Sequence, residues 1–136
     1  CSLETISVED RSFLCSALNT GVPHLVVFED DLSEQEVCHY GPLLEKHPLF
    51  PAKINVNFAR VQPDGSIAVR TWERGCGRTL ACGTGSCACA AAAAMAGYTQ
   101  RTATVRLALG ELLIEWAQDG HIFMTGPAEV SFRGTI

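Results

Sequence analysis

The chain has 136 residues, of which 47% are hydrophobic and 18% charged, with a formal net charge of −5; this is enough for one domain with one core and too little for a second. Ten Lys and Arg against fifteen Asp and Glu leave no basic stripe to neutralise phosphates, so nucleic acid is not an expected partner. The longest apolar run, Cys87 to Gly97, falls short of the roughly 20 residues that cross a bilayer, and no transmembrane segment is expected.

The start, Cys1-Ser2-Leu3-Glu4, has neither an initiator methionine nor the charged-then-apolar layout of a signal peptide, and the chain reads as part of something longer. Leu3 to Val8 and Phe13 to Leu18 have strand character, and His24 to Phe28 is a firmer strand stopped by Glu29-Asp30-Asp31. Ser33 with Glu36 has the spacing of a capping box and opens a helix, with Gly41-Pro42 as a possible break and Pro48 and Pro51 beyond its end. Ile54 to Val61 and Ile67 to Trp72 are strands joined through Pro63-Asp64-Gly65, a hairpin turn. Segment 86–96 is nearly all small helix formers, opened by Gly83, Thr84, Gly85 and Ser86. Thr102 to Leu109, Glu111 to Ala117 and Ile122 to Thr125, parted at Gly110 and Asp119-Gly120, form a β-meander. The fold class is therefore α+β, with mostly antiparallel strands and a helix that has almost no polar face to show to water. Such a helix is buried by sheet.

Cys82 stands at the mouth of that helix. The first backbone N–H groups of a helix have no intrahelical acceptor and point outward, so an anion there is favoured by the dipole, whether it is a thiolate or a substrate carboxylate. The seven cysteines, at 1, 15, 38, 76, 82, 87 and 89, do not form the compact set of a secreted disulfide scaffold, and a reducing cytoplasm is the simplest setting. Cys76, Cys82, Cys87 and Cys89 are separated by five, four and one residues, without the paired knuckles of a zinc site, and no metal is expected. Cys87 and Cys89 read as small hydrophobes packing a helix. Gly83-Thr-Gly85-Ser-Cys-Ala88 matches G-x-G-x-x-A, but no βαβ unit surrounds it and position 105, about twenty residues on, is Val, so a dinucleotide site is rejected.

The segment Glu73-Arg-Gly-Cys-Gly-Arg-Thr-Leu-Ala-Cys82-Gly-Thr-Gly-Ser86 closely resembles the second-cysteine signature of the diaminopimelate epimerases, which act without pyridoxal phosphate. Pro23-His24-Leu-Val-Val-Phe, Gly41 to Pro51, Ile54-Asn55-Val-Asn-Phe and Gly126-Pro127-Ala128 resemble further landmarks of that family in the same order. The resemblance covers essentially the whole chain, 1–136 as a single domain, but only the family's C-terminal half. It implies one of two similar domains, a mixed, mostly antiparallel sheet curled barrel-like around a central Ala-rich helix. The active site would lie between the domains, each giving one cysteine, so the N-terminal half of the same enzyme is the implied partner. The implied reaction is conversion of LL-diaminopimelate to meso-diaminopimelate, in lysine and peptidoglycan precursor synthesis, with no cofactor. Carried over by residue, Cys82 is catalytic; Asn55, Glu73, Arg74, Gly83 and Thr84 bind substrate; and His24 and Glu73 tune the acidity of the thiols. Cys76 is structural, and Asn57 falls where the family varies. Val22 stands where members commonly have a substrate-contacting asparagine, for which Asn19 is a possible substitute, and Arg78 replaces a frequent glutamate. A homodimer is possible. The rival readings are another isomerase of the same architecture, proline racemase-like or phenazine-biosynthesis-like, and a non-catalytic carboxylate-binding module.

Overall fold

A computed structural model describes residues 3–9, 11–30, 33–79, 82–108 and 110–126. Cys1, Asp31, Leu80-Ala81 and the Pro127-Ala128 ending lie outside the described residues. The elements in chain order are β1 (Glu4–Val8), β2 (Arg11–Asn19), β3 (Pro23–Phe28), α1 (Glu34–Glu45), β4 (Asn55–Val61), β5 (Ile67–Glu73), β6 (Gly77–Thr79), α2 (Gly83–Met95), β7 (Thr102–Leu107), β8 (Gly110–Trp116) and β9 (Ile122–Thr125). The strands form one mixed sheet in the order β1-β2-β3-β4-β5-β7-β8-β9, with β6 paired to β5. Among the described residues only β3·β4 and β5·β7 are parallel. Those are the two pairs whose connections contain a helix, because parallel neighbours need a long crossover whereas antiparallel ones need only a turn.

Among the described residues β1 and β9 end the order without pairing to each other, so the sheet is open and not closed into a barrel. The weak point is the β5·β7 join, which rests on Ile67↔Val105 and Ala68↔Arg106 alone. Further along β5, Thr71 to Glu73 pair with β6, a strand the glycine-rich sequence there did not announce.

Strand alternation divides the core in two. Leu25, Val27, Val56 and Phe58 face α1 and pack with its Val37 and Leu44. Val26, Ala59, Ile67 and Val69 face α2 and pack with Ala88, Cys89, Ala92 and Ala93. Strands β3 and β4 are thus covered on both faces, which explains their nearly unbroken burial. Helix α2 touches β2, β3, β4, β5, β7, β8 and β9, and its alanines let all of them come close.

Ser33 caps α1 with the reciprocal bonds of a capping box. Gly41-Pro42 does not break this helix, contrary to the sequence expectation; α1 runs through Pro42 to Glu45. Proline removes one N–H from the ladder, but packing favours the helix here, since Gly41 lies directly against the Trp72 ring and that ring is fixed by Trp72 Nε1–H donating to Glu45 Oε1 at 2.9 Å. A Cβ at Gly41 would come within 2.7 Å of Trp72 Cγ. Gly41→Ala is therefore expected to destabilise the fold by about 1–3 kcal/mol through overpacking, reversing the ~0.5–1 kcal/mol that alanine ordinarily gains over glycine inside a helix. Urea unfolding measures it, and a stabilised variant would contradict this packing.

Candidate functional site

Cys82 is the N-cap of α2, with extended backbone (φ −149°, ψ 109°). Its Sγ accepts from the Gly85 N–H at 3.3 Å and lies 3.6 Å from Thr84 Oγ1. The usual N-cap side chains are Ser, Thr, Asp and Asn; sulfur is a weaker acceptor, so this helix gives up some capping strength to hold a thiol at its positive end. The Gly83 and Thr84 amides belong to the first turn, whose N–H groups have no intrahelical carbonyl to bind. Met124 of β9 lies beside Gly83, and Thr20, in the turn after β2, donates its hydroxyl to the Thr84 carbonyl at 3.1 Å.

Beneath the helix mouth the face of the sheet that is apolar under the alanines becomes polar. His24 on β3, Asn57 on β4 and Thr71 on β5 are all buried and form a continuous row. Thr71 Oγ1–H donates to Asn57 Oδ1 at 3.1 Å. Asn57 Nδ2 lies 3.0 Å from His24 Nδ1 and donates to the Leu25 carbonyl at 3.3 Å. His24 Nε2 lies 2.9 Å from Thr84 Oγ1, which returns the row to the Cys82 sulfur. Helix and row meet without a gap at Gly85, where any Cβ would collide with Asn57 Oδ1.

A second group lies at the end of β5. Asn55, next to Asn57 on the same face, donates from Nδ2 to the Pro23 carbonyl at 3.1 Å and accepts the Arg74 N–H on Oδ1 at 2.8 Å. It ties the Glu73-Arg74 turn to the strand that carries His24. The turn is held from the other side by Glu45, which is buried and accepts from Trp72 Nε1 and from the Gly75 N–H at 3.4 Å. Glu73 is half-buried and its charge acts on His24. Arg74 is exposed, with Nη1 donating to the Ala52 carbonyl at 3.4 Å.

Cys82, Gly83, Thr84, His24, Asn55, Glu73 and Arg74 thus gather at one end of the sheet around the first turn of α2. The sequence reading passed over Asn57, Thr71 and Glu45. Asn57 did leave a signal, since Asn55 and Asn57 share one face of β4 whose other residues, Ala59 and Val61, are apolar. Val22 is exposed. Asn19, the possible substitute, accepts the Gly21 N–H on Oδ1 at 2.8 Å and so helps close the β2–β3 turn. Arg78 forks onto Glu34 of α1 at 2.9 and 2.8 Å and donates to the Thr71 and Thr79 carbonyls, clasping β6 to the helix. Burial pushes the Cys15 thiol up to about 12 and raises Cys87 and, further, the fully buried Cys89, with the Cys82 charge adding to the last two. Among the described residues no group of three or more His, Cys, Asp and Glu side chains is placed to hold a metal ion.

A family model described as diaminopimelate epimerase matches residues 16–131. The diaminopimelate epimerase of Desulforudis audaxviator is 52% identical over 132 residues, which is 96% of this chain and 48% of that protein. That of Desulfitobacterium hafniense is 45% identical over 96% of this chain and 46% of its own length. The chain spans about half the length of the curated relatives it matches. Among solved structures, a hydroxyproline epimerase from Agrobacterium vitis with bound trans-4-hydroxy-L-proline superposes with a TM-score of 0.65 at 20% identity, over 84% of this chain and 40% of that one. A phenazine biosynthesis protein of the PhzF family from Bacillus anthracis gives 0.58 at 19%, over 82% and 38%. At such identities the likeness is one of fold.

Burial pushes the proton affinity of His24 below its ordinary value of 6.5, against a smaller opposing pull from Glu73. As pH falls past that value the unfolded chain takes up a proton and the folded chain does not, so stability drops across the window between 6.5 and the lower folded value. Urea midpoints are expected to fall between about pH 7 and about pH 5, the range of histidine titration, and to fall less steeply in His24→Gln. Equal slopes would remove His24 as the source.

Proposed function

The chain belongs to the diaminopimelate epimerase family, and on that premise we propose that it is the Cys82-bearing half of a cofactor-independent epimerase that inverts one α-carbon of diaminopimelate. The single observation that carries this reading is Cys82 as N-cap of α2, with its sulfur and the first-turn amides presented together. A group that takes a proton from carbon and a group that holds the adjacent carboxylate are what the reaction requires, side by side.

In the proposed mechanism the Cys82 thiolate removes the α-hydrogen as a proton and becomes a thiol. The electron pair left behind spreads into the α-carboxylate, where the Gly83 and Thr84 N–H groups receive the charge. A thiol on the opposite face, from the N-terminal half, delivers its own proton to the α-carbon and becomes the thiolate. The reverse reaction exchanges the two roles. Arg74, whose fork suits a planar carboxylate, and Glu73, a counter-charge for an ammonium, are the proposed anchors for the rest of the zwitterion. Asn55 keeps one N–H and one lone pair beyond its two backbone bonds, and with them contacts substrate while bracing Arg74. His24 and Glu73 set the electrostatic background of the thiol.

The same proposal includes a sheet that curls around α2 as one of two similar domains, a cytoplasmic setting and a possible homodimer; among the described residues no helix is long and apolar enough to cross a membrane. Proline racemase-like and phenazine-biosynthesis-like chemistries share the fold. The relatives at 45–52% identity favour the diaminopimelate reading over either.

The 136-residue chain alone is expected to leave LL-diaminopimelate unconverted, since one thiol serves one face and the other lies open to water. Combined with an N-terminal half bearing its own cysteine, it is expected to convert the substrate without pyridoxal phosphate and to load solvent deuterium at the α-carbon. Cys82→Ala in that pair is expected to abolish both. Full turnover by the Cys82→Ala pair would overturn the two-thiol mechanism.

Arg74→Lys keeps the charge and loses the fork. Loss of one charge-assisted contact is worth about 1.5–3 kcal/mol, roughly ten- to hundred-fold in kcat/KM. Wild-type kinetics from that variant would take Arg74 out of the substrate site.

A further inference from the structure

The polar row under the helix mouth has a direction, and Asn57 sets it. An amide group can present either its oxygen or its nitrogen to a neighbour, and at Asn57 the choice is forced. The Leu25 carbonyl can only accept, so the Asn57 Nδ2 side must face it, and the Thr71 hydroxyl then donates to the Oδ1 side. The same Nδ2 points at His24 Nδ1 from 3.0 Å. A nitrogen facing an N–H donor must carry a lone pair, so Nδ1 is bare and the neutral ring carries its proton on Nε2. From there Nε2–H donates to Thr84 Oγ1 at 2.9 Å, which takes up a lone pair of that oxygen and leaves its hydrogen free to turn toward Cys82 Sγ at 3.6 Å. An imidazolium in this place would set two N–H donors against each other, a second reason, besides burial, for the ring to stay neutral.

We propose that Asn57, fixed by Thr71 and the Leu25 carbonyl, is a positioning residue that locks His24 as the Nε2–H tautomer and thereby aims the Thr84 hydroxyl hydrogen at the Cys82 sulfur. The inference rests on the reading of Cys82 as the acid/base thiol and adds how its hydrogen-bond environment is directed. Asn57 itself touches no reacting atom. Its side chain is wholly buried beneath His24 and Gly85, and it acts through two intermediaries. The thiol gains a third source of stabilisation for its anion, beyond the helix dipole and the Gly85 N–H, which matters in a step that ends with negative charge on sulfur. Among the described residues the titratable groups facing this row are Glu73 of β5, acting on His24, and Cys87 and Cys89 of α2, acting with Cys82. The other neighbours at the mouth, Thr20 and Met124, carry no charge.

The test uses the chain itself and needs no substrate. Long-range proton–nitrogen correlation spectra at neutral pH are expected to show His24 protonated at Nε2 and bare at Nδ1; a proton on Nδ1 would overturn the proposal. The pH dependence of Cys82 alkylation by iodoacetamide, followed by mass spectrometry of its peptide, reports the second link. Thr84→Val is expected to move the midpoint up by roughly one pH unit, a tenfold loss of thiolate near neutrality, while Thr84→Ser keeps the hydroxyl and the wild-type profile. Asn57→Leu is expected to free the ring into mixed tautomers and to move the midpoint in the same direction. A folded Asn57→Leu chain that retained a single Nε2–H tautomer and the wild-type midpoint would overturn the role of Asn57. Should that variant not fold, the wild-type tautomer and the Thr84 pair still decide. The predicted tautomer and midpoint shifts, found together with no α-deuterium exchange in the complemented enzyme, would sink the epimerase reading and leave this one standing.

Discussion

The close seating of the first turn of α2 on strand β4 is the constraint on which the rest depends. Gly85 has no Cβ to hold it away from Asn57, and the alanines that follow bury the helix against Val26, Ala59, Ile67 and Val69 without side chains long enough to force a gap. Close packing of this kind leaves little room for adjustment. The helix mouth therefore sits at one height above the sheet, and the Cys82 sulfur, the first-turn amides and the buried row from Thr71 to His24 hold a fixed relation.

The opposite face of the sheet serves the same end indirectly. Helix α1 fills the space over Leu25, Val27, Val56 and Phe58 and brings Glu45 to the Trp72 indole and the Gly75 amide. A buried carboxylate would be costly alone; here it is satisfied by two donors and in return pins the turn that carries Glu73 and Arg74. Gly41 makes room for the indole. Positions one residue apart on β4 and β5 thus belong to different tasks: Val56 and Trp72 anchor the scaffold, while Asn55, Asn57 and Thr71 lie on the face toward the α2 mouth.

Much of the fold was legible because its signals are local. The capping box at Ser33, the Pro63-Asp64-Gly65 turn and the apolar run of β3 each rest on residues within a few positions of one another, and the strand ranges read from sequence agree with those observed to within about two residues, the usual uncertainty of such boundaries. At two places a distant residue decided what neighbouring positions left open. Gly41-Pro42 was a possible break in α1, but Trp72, thirty positions from Pro42, packs against the helix and it runs on. The short strand 77–79 had no signal in the sequence, because Arg78 is clasped by Glu34 and the free edge of β5 accepts the segment as a strand.

By itself the sequence determined an α+β chain, the glycine-opened helix with Cys82 at its start, and the motif likeness from Pro23 to Ser86, because capping, periodicity and residue order are written in neighbouring positions. The tertiary structure alone decided that the sheet of the described residues stays open, that Asn19 Oδ1 binds within its own turn and that Arg78 points to α1. It alone decided, too, that Asn57 connects Thr71 to His24 and through Thr84 to Cys82. Hydrogen-bond direction is set by which groups meet across strands, and residues 57, 71, 24 and 84 meet only when β3, β4, β5 and α2 have packed.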